Sequence, residues 1–188
     1  TVKEALSSQI AIIGENMNIR RFEKLSVENG LVASYIHAGG KIGVLVAVES
    51  DVVNDAVKEM AKNVAMQAAA LKPLYTSRDE VDADYIAKEK EILAAAAKNE
   101  KPDANDKIIE GMVMGRINKE LKEICLLDQV YVKAEDGKQA VSKYVEAVAK
   151  ENGAKIKVVK FLRFETGEGM AKKEENFAEE VAKQMGGN

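Results

Sequence analysis

Tryptophan is absent from the 188-residue chain, aromatic residues make up 5% of it, and it holds one cysteine, one histidine and two prolines. A lone cysteine excludes an internal disulfide, so a reducing compartment is allowed. A lone histidine, His37, leaves any Ser-His-Asp or Cys-His apparatus with a single candidate base and any metal site with one imidazole. Carboxylates are plentiful but unclustered, and runs such as Lys172-Lys173-Glu174-Glu175 have the pattern of a solvated helix face. The longest apolar stretches, such as Ile42 to Val48, fall far short of the ~20 residues that span a bilayer, and no secretory signal pattern is visible. Nor is there a surplus of positive charge: 28 Lys and Arg face 31 Asp and Glu, for a net charge of −3. A dedicated nucleic-acid binder needs a clustered excess of Lys and Arg. These absences point away from an enzyme, a membrane protein and a direct nucleic-acid binder. They fit a soluble, cytoplasmic protein whose work needs no cofactor and no metal.

What is present is an ordinary hydrophobic share of 46%, rich in Ala and Val. Ala-rich helices pack closely but cover little apolar area, which predicts some elongated helical region beside the core. Val2, Leu6, Ile10 and Ile13 recur at helical spacing, so residues 1 to 13 read as an amphipathic helix ended by Gly14. With no initiator Met and that helix already under way, the chain reads as a portion of a longer protein. Residues 17 to 49 read as β-structure in three runs: Met17 to Leu25, Leu31 to His37 and Lys41 to Glu49. Ile42, Val44, Val46 and Val48 alternate on one face, and Gly39-Gly40 suits a tight hairpin. Ser50 is placed to cap a helix whose stripe is Val53, Val57, Met60, Val64 and Ala68, closed by Pro73.

Ser77 and Glu80 have the capping-box spacing and are expected to open a second long helix bearing Val81, Tyr85, Ile92 and Ala96. A polar reversal from Asn99 to Asp106, holding Pro102, leads to a third helix with Ile109, Met112, Val113, Ile117, Leu121 and Ile124 on one side. Their narrow stripes suit a two-helix coil. A shorter helix after Gly137 carries Val141, Tyr144, Val145 and Val148. Ile156, Val158, Leu162 and Phe164 then mark a strand returning to the sheet, and a last helix carries Phe177, Val181 and Met185. The expected fold is α+β: an antiparallel sheet of three to four strands packed by helices, with a projecting antiparallel helical, coiled-coil hairpin. Its divisions are residues 1–79, an arm at 80–126, a return segment at 127–169 and a C-terminal helical module at 170–188.

Candidate chemistry is thin. Cys125 lies in the apolar run Glu123-Ile124-Cys125-Leu126-Leu127, the setting of a small buried hydrophobe. In the stretch Ala38-Gly39-Gly40-Lys41-Ile42-Gly43, Lys41 is followed by Ile42 and a strand instead of the Ser or Thr and the helix of a phosphate-binding loop, so a hairpin turn is the better reading. Gly167-Glu168-Gly169 lacks the third glycine of a dinucleotide fingerprint. Two apolar features have no evident internal use: the turn Ile13-Gly14-Glu15-Asn16, and the hairpin end around His37.

Three stretches in order carry a family resemblance. Ile13-Gly14-Glu15-Asn16-Met17-Asn18-Ile19-Arg20-Arg21, then His37-Ala38-Gly39-Gly40-Lys41-Ile42-Gly43-Val44-Leu45-Val46, then Arg163-Phe164-Glu165-Thr166-Gly167-Glu168-Gly169 resemble hallmarks of bacterial elongation factor Ts. Lys72-Pro73 and the arm agree in order and spacing. That resemblance implies a guanine nucleotide exchange factor that docks on elongation factor Tu, loosens GDP and magnesium, and lets GTP enter. It implies that Ile13 and Gly14, with Glu15 and Asn16 of the same turn, touch the partner's nucleotide-binding domain. His37 would press near that domain's phosphate-binding loop, and the helix around Phe177 and Val181 would rest on the same domain. The arm resembles an element linked with self-association and thus with a homodimer. One departure stands out: the family's N-terminal helical module and its Thr-Asp-Phe-Val motif, which wedges between partner helices, do not occur here. The resemblance therefore implies binding with reduced affinity and feeble exchange. Two alternatives come from other classes: a structural, self-associating module, and an RNA-binding α+β domain, which the interleaved charges disfavour.

Overall fold

The computed structural model describes residues 1–170; Phe177 and Val181, with the helix expected around them, lie outside the described residues. Among the described residues five helices and a three-stranded antiparallel sheet make an α+β architecture. Helix α1 (Val2–Ile13) starts at a reciprocal cap between Thr1 and Glu4 and ends at Gly14, whose positive φ of 77° closes the last turn. It buries none of its residues.

Strands β1 (Gly30–His37), β2 (Ile42–Ser50) and β3 (Ile156–Glu165) lie in the order β1-β2-β3. The central strand reads Ile42 to Val48 as expected, with Val44, Val46 and Val48 at 2% exposure or less. Helix α2 (Asp55–Leu71) lays Val57, Met60, Val64 and Ala68 onto that face, each at 0% exposure. Fully burying one such Val or Met side chain contributes about 1.5–3 kcal/mol. Helix α5 (Val141–Glu151) adds Val141 and Val145 to the same core.

Helices α3 (Ala83–Glu100) and α4 (Asp106–Ile124) pack on each other around a second, smaller cluster of Ala97, Ile109, Val113 and Ile117. Lys98 meets Asp106, and Tyr85 donates to the Glu120 carboxylate, so the helices run in opposite directions. The foot of α4 is tied to the body where Arg78 donates to Asp128 at 2.9 Å and to Asn118 at 3.0 Å. Beside it Leu126 N–H donates to the Tyr75 carbonyl at 2.9 Å.

Five local expectations are corrected. Residues 17 to 25 form no strand, because side chains rather than a backbone ladder hold this segment, as described below. Ser50 ends β2 and bonds Val52, while Asn54 caps α2 by accepting from Val57 N–H; Val53 thereby stays outside the helix, 44% exposed. Ser77 opens only a single 3₁₀ turn (Arg78–Glu80), and Glu80 reaches back to Thr76 N–H, so Asp82 caps α3 instead. On α3 the buried position is Ala97, flanked by Leu93 and Ala94, and Ile92 is 60% exposed. In β3 a register shift opposite Ala47 and Val48 reverses the alternation. Ile156, Val158 and Phe161 pack towards the helices, whereas Leu162 and Phe164 line an apolar hollow on the other face with Ser34, Ile36 and Leu45.

Candidate partner-binding site

The β1–β2 hairpin turns through Ala38, Gly39 and Gly40, with φ of 51°, 65° and 96°. Three successive positive-φ residues followed by Lys41 bring Ile42 back opposite His37, and glycine supplies two of the three without a Cβ penalty. The Lys41 carbonyl then accepts from Thr166 N–H at 2.8 Å and from Thr166 Oγ1 at 3.2 Å. The stretch from Arg163 to Gly169 is thereby folded onto the hairpin end.

The segment after α1 joins them from the other direction. Arg20 donates to the Glu168 carbonyl at 3.0 Å, and Arg21 pairs with the Glu168 carboxylate at 2.6 Å. The Arg21 guanidinium also lies 4.3 Å from the centre of the Phe164 ring, a cation–π arrangement. Parts of all three sequence motifs thus meet around one groove of about 450 Å³ lined by Arg20, Arg21, Lys41, Phe164 and Thr166. The strand-like pattern at 17–25 fails because these side-chain contacts position the segment, leaving Ile19 and Phe22 at 54% and 85% exposure.

On the helix-facing side of β3 a charged relay closes the site. Lys72 Nζ and Arg163 Nη2 each lie 2.8 Å from Glu165 Oε2. The Lys72 contact first, and the Arg163 contact second, hold the Glu165 carboxyl below the usual carboxylate range. The Arg163 side chain is only 8% exposed, and its Nε has no hydrogen-bond partner among the described residues.

The nominated residues fall into two places. His37 is exposed at the end of β1, with Nδ1 2.9 Å from the Tyr35 hydroxyl. Ile13, Gly14, Glu15 and Asn16 are all exposed at the far end of α1. No hydrogen bond among the described residues joins that turn to His37. Cys125 has no exposed surface, and burial pushes its thiol up to about 11, the state of an inert core thiol. Among the described residues no group of three His, Cys, Asp or Glu side chains could hold a metal ion, and no helix is long and apolar enough to cross a membrane.

Sequence reasoning passed over Tyr35 and the apolar open face of the sheet, and it named Lys72 without its tie to Glu165. Tyr35 was findable, since two residues before His37 on a strand means the same face. The open face was hidden by the β3 register shift, which no local pattern announces. It joins Val32, at 36% exposure, and Ile36, at 66%, to Leu45, Leu162 and Phe164.

Comparison with known proteins places this arrangement. The sequence model of the elongation factor TS family matches residues 1–168. Elongation factor Ts of Clostridium botulinum strain Eklund 17B is 57% identical over 187 residues, 99% of this chain and 60% of that protein. The same factor of Clostridioides difficile strain 630 is 56% identical over 185 residues, 98% of this chain and 59% of that protein. That of Clostridium kluyveri is 52% identical over 188 residues, all of this chain and 60% of that protein. The chain spans about three fifths of the length of these curated relatives.

Proposed function

The chain belongs to the elongation factor Ts family, and from that premise we propose that it binds elongation factor Tu and favours release of its guanine nucleotide. It does so in the cytoplasm, as a non-enzymatic exchange factor without a cofactor of its own. Exchange of this kind is differential affinity: the factor binds the nucleotide-free partner better than the nucleotide-bound one, and by reciprocity a returning nucleotide weakens its grip. A preference of ~1,000-fold corresponds to about 4 kcal/mol of coupling. No bond is made or broken on the factor.

The observation that carries this reading is the exposed His37 on a hairpin end held at Lys41 by Thr166, whose own stretch is held at Glu168 by Arg20 and Arg21. A rigid, protruding imidazole can press on a partner without first being ordered, which lowers the cost of association. Ile13, Gly14, Glu15 and Asn16 offer a second contact at the exposed end of α1, and Phe177 and Val181 a third. On this reading residues 1–79 and 127–169 are the docking body, 80–126 is a projecting coiled-coil arm and 170–188 is a C-terminal module. Thr-Asp-Phe-Val does not occur within these 188 residues, and the exchange proposed for this stretch by itself is feeble beside its binding.

The test mixes the chain with elongation factor Tu carrying fluorescent GDP and follows release by stopped flow, beside a direct binding assay. Binding with slight acceleration of release, both weakened but still measurable in His37→Ala, is the expected result. Absence of binding, or exchange as fast as that of a full-length relative, contradicts the proposal. A second reading, self-association through the arm, is favoured by Ile92, Ile108 and Met114, which are 60%, 48% and 41% exposed on α3 and α4. Sedimentation of the chain across a concentration series decides it, a dimer that dissociates in Ile92→Glu being the supporting result.

A further inference from the structure

Tyr35 and His37 stand two residues apart on β1, so strand alternation sends both side chains to the same face of the sheet. Their surroundings differ. Tyr35 is half-buried and packs against the main core with Leu31 and Ile42, whereas His37 is exposed. The Tyr35 hydroxyl oxygen lies 2.9 Å from His37 Nδ1, with the ring centres 5.8 Å apart and the planes inclined by 33°.

The direction of that hydrogen bond fixes what His37 can offer. The lone pair of a phenolic oxygen is drawn into its ring, so the hydroxyl donates more readily than it accepts. A neutral imidazole that accepts at Nδ1 must carry its proton on Nε2. Nε2 lies on the far side of the ring from Nδ1, and hence away from Tyr35.

Resting on the reading of His37 as a partner contact, we propose that Tyr35 is its positioning residue. Anchored in the core by its ring, Tyr35 uses its hydroxyl to hold the imidazole in one rotamer and one tautomer. The outward Nε2–H is then a ready donor for an acceptor oxygen on the partner. Without the hydroxyl the ring turns freely on an exposed strand end and exchanges between tautomers. Binding must then order it, which is the cost that preorganisation removes.

His37 is the only histidine in the chain, so its ring nitrogens can be read without assignment ambiguity. Long-range ¹H–¹⁵N spectra of the ¹⁵N-labelled 188-residue chain, at a pH where the ring is neutral, should show an Nε2–H tautomer with Nδ1 as acceptor. In Tyr35→Phe, which keeps the anchoring ring, the two nitrogen shifts should draw together towards a mixed tautomer. Affinity for elongation factor Tu should fall about 5-fold, the scale of one neutral hydrogen bond. In the His37→Ala background the same Tyr35→Phe change should have no further effect, which separates positioning from loss of packing.

An Nδ1–H tautomer in the wild-type chain overturns the proposal without any variant. Unchanged ring shifts in Tyr35→Phe also overturn it, while leaving His37 as a contact. A His37→Ala chain that binds like the wild type removes the underlying reading instead, and with it the role given to Tyr35. Equal losses from Tyr35→Phe with and without His37 assign the effect to packing and overturn positioning.

Discussion

The body and the α3–α4 pair solve the same problem with unequal means. In the body, α2 covers one face of β1 and β2 while α5 packs beside it against β3, and Val46, Val48, Val57, Met60, Val64, Leu126 and Val141 have no exposed surface. In the pair, burial is confined to Ala97, Ile109, Val113 and Ile117, with an alanine at the point of closest packing. Polar contacts supplement it: Tyr85 with Glu120, Glu100 with Arg116 and Lys98 with Asp106. The body is therefore specified by long-range packing, in which one misplaced atom is felt. The pair is specified by helix propensity, caps and a narrow seam, and small changes there act locally.

Glycines give the sharpest way to break this comparison. At Gly30, where φ is 138°, an added Cβ would sit 2.0 Å from the Val48 carbonyl oxygen. Backbone there cannot yield without separating β1 from β2. Gly30→Ala should cost more than about 3 kcal/mol and leave little folded protein, a loss readable by thermal denaturation. A stable Gly30→Ala chain would mean that the sheet is far more plastic than its core implies.

The next largest effect concerns pH and again belongs to the body. Burial raises the Cys125 thiol from an ordinary 9.0 to about 11. A folded-state pKa above the unfolded one means that the folded chain keeps a proton the unfolded chain has released. The stabilisation is therefore fully present below pH 9 and is lost as pH rises through about 11. The melting temperature should fall across that window, and Cys125→Ala should flatten the fall. A thiol reagent should label Cys125 only after unfolding.

Smaller effects of opposite sign are expected in the pair. Gly111 and Gly115 are exposed on α4, and a Cβ at either meets nothing within 4 Å. Gly111→Ala and Gly115→Ala should each stabilise by about 0.5–1 kcal/mol, through helix propensity and the unfolded state. Hydrogen exchange should place the gain in α3 and α4. Destabilisation by either change would show that the pair is as tightly specified as the body. Smallest of all, Glu168→Gln removes a half-exposed ion pair with Arg21. It should shift stability by less than about 1 kcal/mol while loosening the segment at 17–25, seen as faster amide exchange there.

The same division governs how much could be read from the sequence. Periodicity located α1, α2, α4 and α5, and alternation located β2, because each signal lies within one element. Met17 to Leu25 misled because a short mixed run ahead of a turn signal says nothing of a neighbouring strand to pair with. The caps at Ser50 and Ser77 misled because a Ser can bond its own local backbone as readily as a helix start. Asn54 and Asp82, a few residues on, were the caps that tertiary packing selected. For the candidate site the motifs were legible as words. Their meeting through Arg20, Arg21, Glu168, Phe164 and Thr166 was not, since these contacts join segments far apart in the chain.

The central claim is that the motif-bearing end of the body, and not the α3–α4 pair, grips elongation factor Tu. Hydrogen exchange of the chain with and without nucleotide-free elongation factor Tu tests it most directly. The account predicts new protection at 13–21, 37–41 and 163–169, with α3 and α4 unchanged. Protection confined to residues 83–124, with none around His37, would contradict it.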